Sequence, residues 1–254
     1  MRNILSIAAM TYEEALRNKL LNVLIIFAAV AIASTRFFVF LAPSEELKII
    51  QDTSLGIIRF IGMLITVFVT GGLLPREIER RTITTVLSKA VSRTEFLFGK
   101  FLGALYAIFA SMIIMSAIFL ILIYAKGRIF NVEVIKALIL MSMEFVVLAS
   151  ITLCVSTIAS EIFNIIFGIL IFIIGHLTNY LQHLAEQFTA IGMKSLLLAL
   201  YTILPNFENF NVQNAIVLGA KVPLQYLGKV ISYGFLYSVI MLLLGYLFFA
   251  EREI

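Results

Sequence analysis

The stretch PREIERRTITTVLSKAVSRTEFLFGKFL, residues 75–102, is strongly charged and is enclosed on both sides by long apolar runs. A helix needs about 20 mostly apolar residues to cross a hydrocarbon core of roughly 30 Å, and the apolar runs on either side are about that long. The stretch therefore connects two predicted membrane spans and is expected to lie in the water beside the membrane.

The composition indicates a membrane protein over the whole chain. Of the 254 residues, 61% are hydrophobic and 13% are charged, whereas a soluble domain carries about 25% charged residues. The apolar runs are continuous and do not alternate with a period of two, which favours helices over a β-barrel. We therefore predict an all-α polytopic membrane protein that forms one domain over residues 1–254.

Six membrane spans are predicted from the apolar runs, over about residues 20–40, 55–74, 101–124, 135–158, 162–180 and 229–250. An amphipathic helix over residues 1–18 is expected to lie in the membrane interface, with an apolar stripe of Leu5, Ala9, Tyr12 and Leu16. Residues 181–228 form an outer segment. Its apolar run ending at Pro205 is too short to span and predicts a buried or re-entrant helix, with a seventh span as the alternative.

Basic residues decide the predicted orientation. With six spans both termini share one side, and the loop over residues 75–100 adds Arg76, Arg80, Arg81, Lys89, Arg93 and Lys100 to it. The positive-inside rule then places this loop and both termini in the cytoplasm, as part of a multi-pass protein of the cytoplasmic membrane. The net charge of +4 is attributed to this bias, so we expect membrane lipid around the chain and no nucleic acid.

The charged stretch can begin as an amphipathic helix. Pro75 suits a first helical turn, and Glu77 and Glu79 near that start complement the helix dipole. The apolar side chains that follow fall along one face: Ile78, Ile83, Val86, Leu87 and Val91. The residues alone leave two interpretations open, a solvated loop helix on lipid headgroups or a docking surface for a cytoplasmic partner.

Three motifs follow one another here: Glu77-x-Glu79-Arg80-x-Thr82, then Val86-Leu87-Ser88-Lys89-x-Val91-Ser92-Arg93-x-Glu95, then Gly99-Lys100-x-Leu102-Gly103. This order resembles the cytoplasmic signature of ABC-2 type transporter permeases, which is roughly E-x-E-x-G-T-L, a short apolar helix, P-V-S-R-x-E and G-K. Arg81 and Ala90 depart from the pattern, since the family often has Gly and Pro there.

The resemblance implies an exporter permease that works as a pair, most simply a homodimer, with two cytoplasmic ATPase subunits. Residues 77–88 would be the coupling helix, and the residues implied in ATPase coupling are Glu77, Glu79, Arg80, Thr82, Ile83, Val86, Leu87 and Arg93. The chain would be a non-catalytic transport subunit without a cofactor. ATP and magnesium would bind to the partner, because Gly99-Lys100 lacks the upstream Gly and the downstream Ser or Thr of a P-loop.

Two other functions are kept open. A membrane scaffold or mechanosignalling partner of an ATPase would keep the docking helix without transporting a substrate. An ATP-independent channel or carrier would need no ATPase, but no run of polar residues along a predicted span supports it.

Small residues recur every four positions at the start of the third predicted span: Gly99, Gly103, Ala107 and Ser111. Such a stripe permits close helix contact, and we favour packing within the chain over a dimer seam. The single cysteine, Cys154, lies in an apolar run and is interpreted as a packing residue.

Three ionisable residues lie at or within predicted spans: Arg36, Arg59 and Glu144. An unpaired charge is costly there, so we predict that Glu144 pairs with one of the two arginines. A structural clamp is favoured over a position beside the translocation path. His176 and His183 lack the cysteine or carboxylate set of a metal site and are interpreted as interfacial polar residues; no metal site is expected.

Overall fold

A computed structural model describes residues 2–38, 45–79, 92–127, 132–187 and 191–251. Regular secondary structure in these ranges is helical, without strands. The helices are α1 (Arg2–Leu16), α2 (Lys19–Phe38), α3 (Glu46–Gly71), α4 (Pro75–Glu79), α5 (Arg93–Gly127), α6 (Val132–Ser156), α7 (Glu161–His176), α8 (Thr178–Gln187), α9 (Ile191–Ile203), α10 (Gln213–Val217) and α11 (Leu224–Glu251), with a 3-10 helix at Phe207–Phe210.

The predicted all-α polytopic architecture is confirmed. In the described ranges, five helical stretches are long and apolar enough to cross a membrane: Lys19–Phe37, Glu46–Glu79, Arg93–Ala125, Val132–Ser156 and Leu224–Glu251. The predicted span over residues 162–180 is divided at Leu177 into α7 and the start of α8. With 16 residues, α7 is only about 24 Å long at roughly 1.5 Å per residue, so the count of six spans stays a prediction.

Helices α3 and α6 form the centre of the bundle. α3 packs against α2, α5, α6 and α7, while α6 also packs along α11. A Cβ atom at Gly62 of α3 would lie 2.5 Å from the ring of Phe145 on α6, so glycine is what lets the two helices approach. The other helices surround this pair and are more exposed.

Both ends of the described chain meet at one end of the bundle, which we call the terminal end. Asn3 Nδ2 of α1 donates to Glu95 Oε2 of α5 at 3.5 Å. Arg93 donates to the carbonyl oxygens of Phe249 and Ala250, at 2.9 and 2.7 Å. A cation at these last carbonyls complements the C-terminal end of the α11 dipole.

The N-terminal helix packs on α5 through a face other than its predicted apolar stripe. Its buried face is centred on Ala8 and Thr11 and packs along α5, whereas Leu5, Ala9 and Leu16 of the predicted stripe are exposed. Ala8 and Thr11 fit closely against Gly103 of α5, and Ile7 fits against Gly99. Whether α1 lies in the membrane interface stays a prediction.

The outer segment also differs in part from expectation. Helices α8 and α9 pack against each other, and α9 exposes Met193, Leu196 and Ile203. The expectation of a buried helix before Pro205 is therefore wrong for α9 within this chain. Burial begins only after α9, at Pro205 and Asn206, and continues with the side chains of Phe207 and Phe210.

Candidate functional site

The first polar cluster ties α4 to three other helices. We call it the terminal-end clamp: Glu14, Arg76, Glu77, Lys100 and Glu161. Lys100 Nζ lies 2.6 Å from Glu77 Oε1 and 3.7 Å from Glu14 Oε2. Arg76 donates from Nε to Glu161 Oε2 at 2.9 Å and from Nη2 to the other oxygen of the same carboxylate. α4 is thereby joined to α1, α5 and α7.

Burial of Lys100 explains why the clamp needs two carboxylates. The Lys100 side chain is only 8% exposed, whereas Glu14 is 59% exposed and so still hydrated. An ammonium is costly to bury without a partner, so Glu77, partly buried and hydrogen-bonded to it, supplies the main compensation. Glu14 adds a longer and weaker attraction from α1.

The predicted ATPase-coupling residues fall into three groups. Glu77 and Arg93 have intrachain partners, Lys100 for the first and the end of α11 for the second. Glu79 is exposed at the last residue of α4. The remaining ones lie outside the described residues: Arg80, Thr82, Ile83, Val86 and Leu87.

The small-residue stripe begins against α1. A Cβ atom at Gly99 would lie 2.8 Å from the Ile7 side chain, and one at Gly103 would lie 2.5 Å from the Ala8 carbonyl oxygen. Ala107 and Ser111 continue the stripe as buried residues, and Ser111 Oγ donates to the Ala107 carbonyl at 2.8 Å. The structure thus places the first two positions in packing within the chain.

The second polar cluster lies among α3, α6, α7 and α10. We call it the central cluster: Asp52, Arg59, Glu144, His176 and Gln213. Arg59 Nε lies 3.6 Å from Glu144 Oε2, and His176 Nε2 lies 3.3 Å from Oε1 of the same carboxyl group. Arg59 Nη1 donates to Gln213 Oε1 at 3.2 Å, and Gln213 Nε2 donates to Asp52 Oδ1 at 2.7 Å.

Glu144 occupies the middle of the bundle. It is the thirteenth of the 25 residues of α6 and is 0% exposed. Among the described residues, both of its carboxyl oxygens, Nε and Nη2 of Arg59, and Nε2 of His176 are buried without a hydrogen-bond partner. The cluster therefore has charge partners but incomplete hydrogen bonding, which is an uncommon arrangement for buried polar atoms.

The structure distinguishes between Arg36 and Arg59, the two arginines predicted as possible partners of Glu144. Arg59 is the one within ion-pair distance among the described residues. Arg36 is exposed in the last turn of α2, where a cation complements the helix dipole.

Sequence reasoning missed His176, Gln213 and Asp52 as members of the central cluster. The His176 ring packs against Phe172 and Phe207, at centroid distances of 4.5 and 5.9 Å, and His183 is exposed; the interfacial position of the two histidines stays a prediction. The cost of burying Glu144 signals that partners are needed, but no local pattern identifies partners on α7 and α10.

A third group of polar contacts joins α3, α6 and α7 near the terminal end. The hydroxyl groups of Thr70 and Thr152 lie 2.6 Å apart. Asn164 Nδ2 donates to the carbonyl oxygens of Gly71 and Thr152, at 3.1 and 2.9 Å. Across the described part of the chain, no group of three or more metal-ligating side chains is assembled.

These features define a polytopic helical membrane protein with charged contacts at one end and a buried ionic cluster at its centre. The sequence matches the family model of the ABC-2 family transporter protein over residues 3–254, so the chain belongs to this family. The family is a membrane transport component, which supports an ABC transporter permease. No individual curated protein matches the chain.

Proposed function

We propose that the chain is the membrane subunit of an ATP-driven exporter, and that two copies act with two ABC ATPase subunits that bind ATP and magnesium. Membership of the ABC-2 family supports an ATPase partner. Export, the homodimer and the copy number are the proposed part. The substrate would pass between the two copies.

The terminal-end clamp is the observation that carries this proposal. α4 is the described beginning of the segment that resembles the family's coupling helix; residues 80–91 lie outside the described residues. Two ion pairs connect that segment to α5 and α7, and Lys100 of α5 also forms an ion pair with Glu14 of α1. An ATPase that displaced the segment would therefore pull on three helices at once, as switching by rigid-body motion requires.

The proposed orientation of the chain in the membrane is based on the terminal end. The described ends of the chain and α4 lie at the terminal end, together with Arg76, Arg93 and Lys100 of the predicted basic loop. We place it in the cytoplasm and place the loops at the opposite end outside, in a cytoplasmic membrane.

Co-purification of the tagged chain with its ATPase tests the partnership first. The second measurement is the ATP hydrolysis rate of the complex relative to the free ATPase, which needs no known substrate. Glu79→Ala probes the partner surface, because Glu79 is exposed and outside the clamp. We expect a weaker complex or a smaller stimulation of hydrolysis.

A charge exchange tests the clamp as the transmission element. Glu77→Lys and Lys100→Glu should each reduce the stimulation of hydrolysis, and the double exchange should restore a large part of it. The exposed pair Glu45 and Lys48, at the opposite end of α3, gives the matched control exchange. Absence of any ABC ATPase from the purified complex, or single exchanges that behave like the control, would contradict the proposal.

A further inference from the structure

The contacts of the His176 ring determine where its protons lie. Nδ1 is 3.0 Å from the carbonyl oxygen of Phe172, one turn earlier on α7. A carbonyl oxygen accepts hydrogen bonds and cannot donate, so this contact is favourable only when Nδ1 carries a proton.

The other ring nitrogen faces a second acceptor. His176 Nε2 is 3.3 Å from Glu144 Oε1, and among the described residues neither atom has a hydrogen-bond partner. With Nδ1 protonated, a neutral imidazole presents a lone pair at Nε2, and an ionised carboxylate also presents lone pairs. Two acceptor atoms would then lie 3.3 Å apart in a buried setting with no proton between them. Moving the ring proton to Nε2 only transfers the same conflict to the Phe172 carbonyl.

One additional proton removes the conflict. We propose that Glu144 and His176 form a proton-binding site, in which an exchangeable proton is shared between Nε2 of the imidazole and Oε1 of the carboxyl group. The proton enters from water and returns to water. When it is bound, the pair is either an imidazolium beside a carboxylate or a neutral imidazole beside a carboxylic acid, and both contacts of the ring are favourable.

The charges around the pair favour an added proton. From α3, Arg59 lies beside the other Glu144 oxygen at 3.6 Å and Asp52 is linked to Arg59 through Gln213. From the 3-10 helix, Glu208 acts electrostatically on both Glu144 and His176. From α8, His183 is exposed. The carboxyl groups of Glu144 and Glu208 thus lie near one guanidinium, whereas Asp52 is exposed, and a bound proton reduces the excess of negative charge.

The position of the pair gives the proton a structural effect. His176 is the last residue of α7, and Glu144 is at the middle of α6. The His176 side chain is 19% exposed at the end of α7, while its Nε2 atom is buried. Loss of the proton turns an attractive contact into a repulsive one and weakens the junction between α7 and the buried residues at Phe207. This role is independent of the proposed export function.

Nuclear magnetic resonance of the full chain in lipid nanodiscs tests the proton count. The chain has two histidines, so ¹⁵N-histidine labelling gives two imidazoles, and His183→Gln assigns them. Carbon labelling of glutamate reports the Glu144 carboxyl group. Near neutral pH we expect a protonated Nδ1 and one more proton on Nε2 or Glu144. On raising the pH, the His176 and Glu144 signals should change together in one step.

A single proton on the pair at every pH from acidic to alkaline would overturn the proposal, as would independent titration of the two groups. Glu144→Gln gives the second test, because its amide can donate to Nε2 and replace the shared proton. We expect His176 in that variant to stay neutral with Nδ1 protonated, and the step to be lost. Glu45→Gln is the exposed control and should keep the step. A step retained in Glu144→Gln would also overturn the proposal. No ATPase is present, so the result does not depend on the export proposal.

Discussion

The terminal-end clamp and the central cluster contain similar groups but solve the problem of burying charge in different ways. In the clamp, Lys100 donates to Glu77 at 2.6 Å, and the surrounding carboxylates keep part of their hydration. In the central cluster, Arg59 and His176 approach Glu144 at 3.6 and 3.3 Å without hydrogen bonds. The first cluster is complete within the chain, whereas the second leaves polar atoms unsatisfied.

The difference indicates different tasks. Close, hydrogen-bonded pairs transmit a displacement from one helix to the next, which suits a clamp beside the segment proposed to bind an ATPase. A buried cluster with unmet hydrogen bonds is sensitive to the gain or loss of a proton, because its partners cannot be replaced by bulk water. Mutations at the two clusters should therefore differ in their cost and in their response to pH.

Removing the carboxyl group of Glu144 should have the largest effect. Glu144→Ala removes the carboxyl group nearest to the Arg59 guanidinium, and breaking a buried pair from one side costs about 3–5 kcal/mol. We expect this loss in the free energy of unfolding, measured by denaturant titration in mixed micelles. Glu144→Gln should cost clearly less, because the amide keeps the volume and a polar contact. Equal stability of Glu144→Ala and the wild type would show that the central cluster is hydrated and not buried.

Neutralising Lys100 should have the next largest effect on the free energy of unfolding. Lys100→Met keeps most of the apolar stem but removes the charged hydrogen bond to Glu77, a contact worth about 1.5–3 kcal/mol. We expect a loss in that range. Because Glu77 and Glu14 retain access to water, the cost should be smaller than for Glu144→Ala in the same titration. A larger cost would reverse the comparison and make the clamp the main ionic contribution to stability.

The sequence predicts some members of the two clusters but not others, because only some of them follow from local properties of the chain. Membrane spans, the charged stretch and the need of Glu144 for a partner follow from length, hydropathy and the cost of burial, which are local properties. The positions of His176 beside Glu144 and of Gln213 beside Arg59 depend on how α7 ends and how the chain returns through residues 205–213. Likewise, the face of α1 that packs was not predicted, because it depends on the fit to Gly99 and Gly103 of α5 and not on the apolar pattern of α1 alone.

The contact between α1 and α5 brings Glu14 towards Lys100, so a change at Gly103 tests the clamp through packing. A methyl group at Gly103 would lie 2.5 Å from the backbone oxygen of Ala8. Overpacking costs about 1–3 kcal/mol, and alanine regains about 0.5–1 kcal/mol of helix propensity. We therefore expect Gly103→Ala to lower the free energy of unfolding by about 0.5–2 kcal/mol.

Gly192 provides the matched control, because a Cβ atom there meets nothing within 4 Å. Gly192→Ala should be neutral or raise the free energy of unfolding by up to about 1 kcal/mol. If the two substitutions had the same sign and size, close packing of α1 on α5 would not contribute to stability. Crosslinking between cysteines introduced at Asn3 and Glu95 would then show whether α1 leaves α5.

The exposed pair of Glu45 and Lys48 should contribute the least to the free energy of unfolding. Lys48 Nζ lies 2.9 Å from Glu45 Oε1, a hydrogen-bonding distance close to the 2.6 Å between Lys100 and Glu77, yet both side chains are about half exposed. Surface pairs of this kind contribute about 0–1 kcal/mol, because water solvates the separated charges almost as well. We expect Lys48→Ala to change the free energy of unfolding by less than about 0.5 kcal/mol. A short distance would then be insufficient to predict a stabilising pair, and burial would account for the larger effect at Lys100. An effect of Lys48→Ala equal to that of Lys100→Met would refute this explanation, because the two contacts differ mainly in exposure.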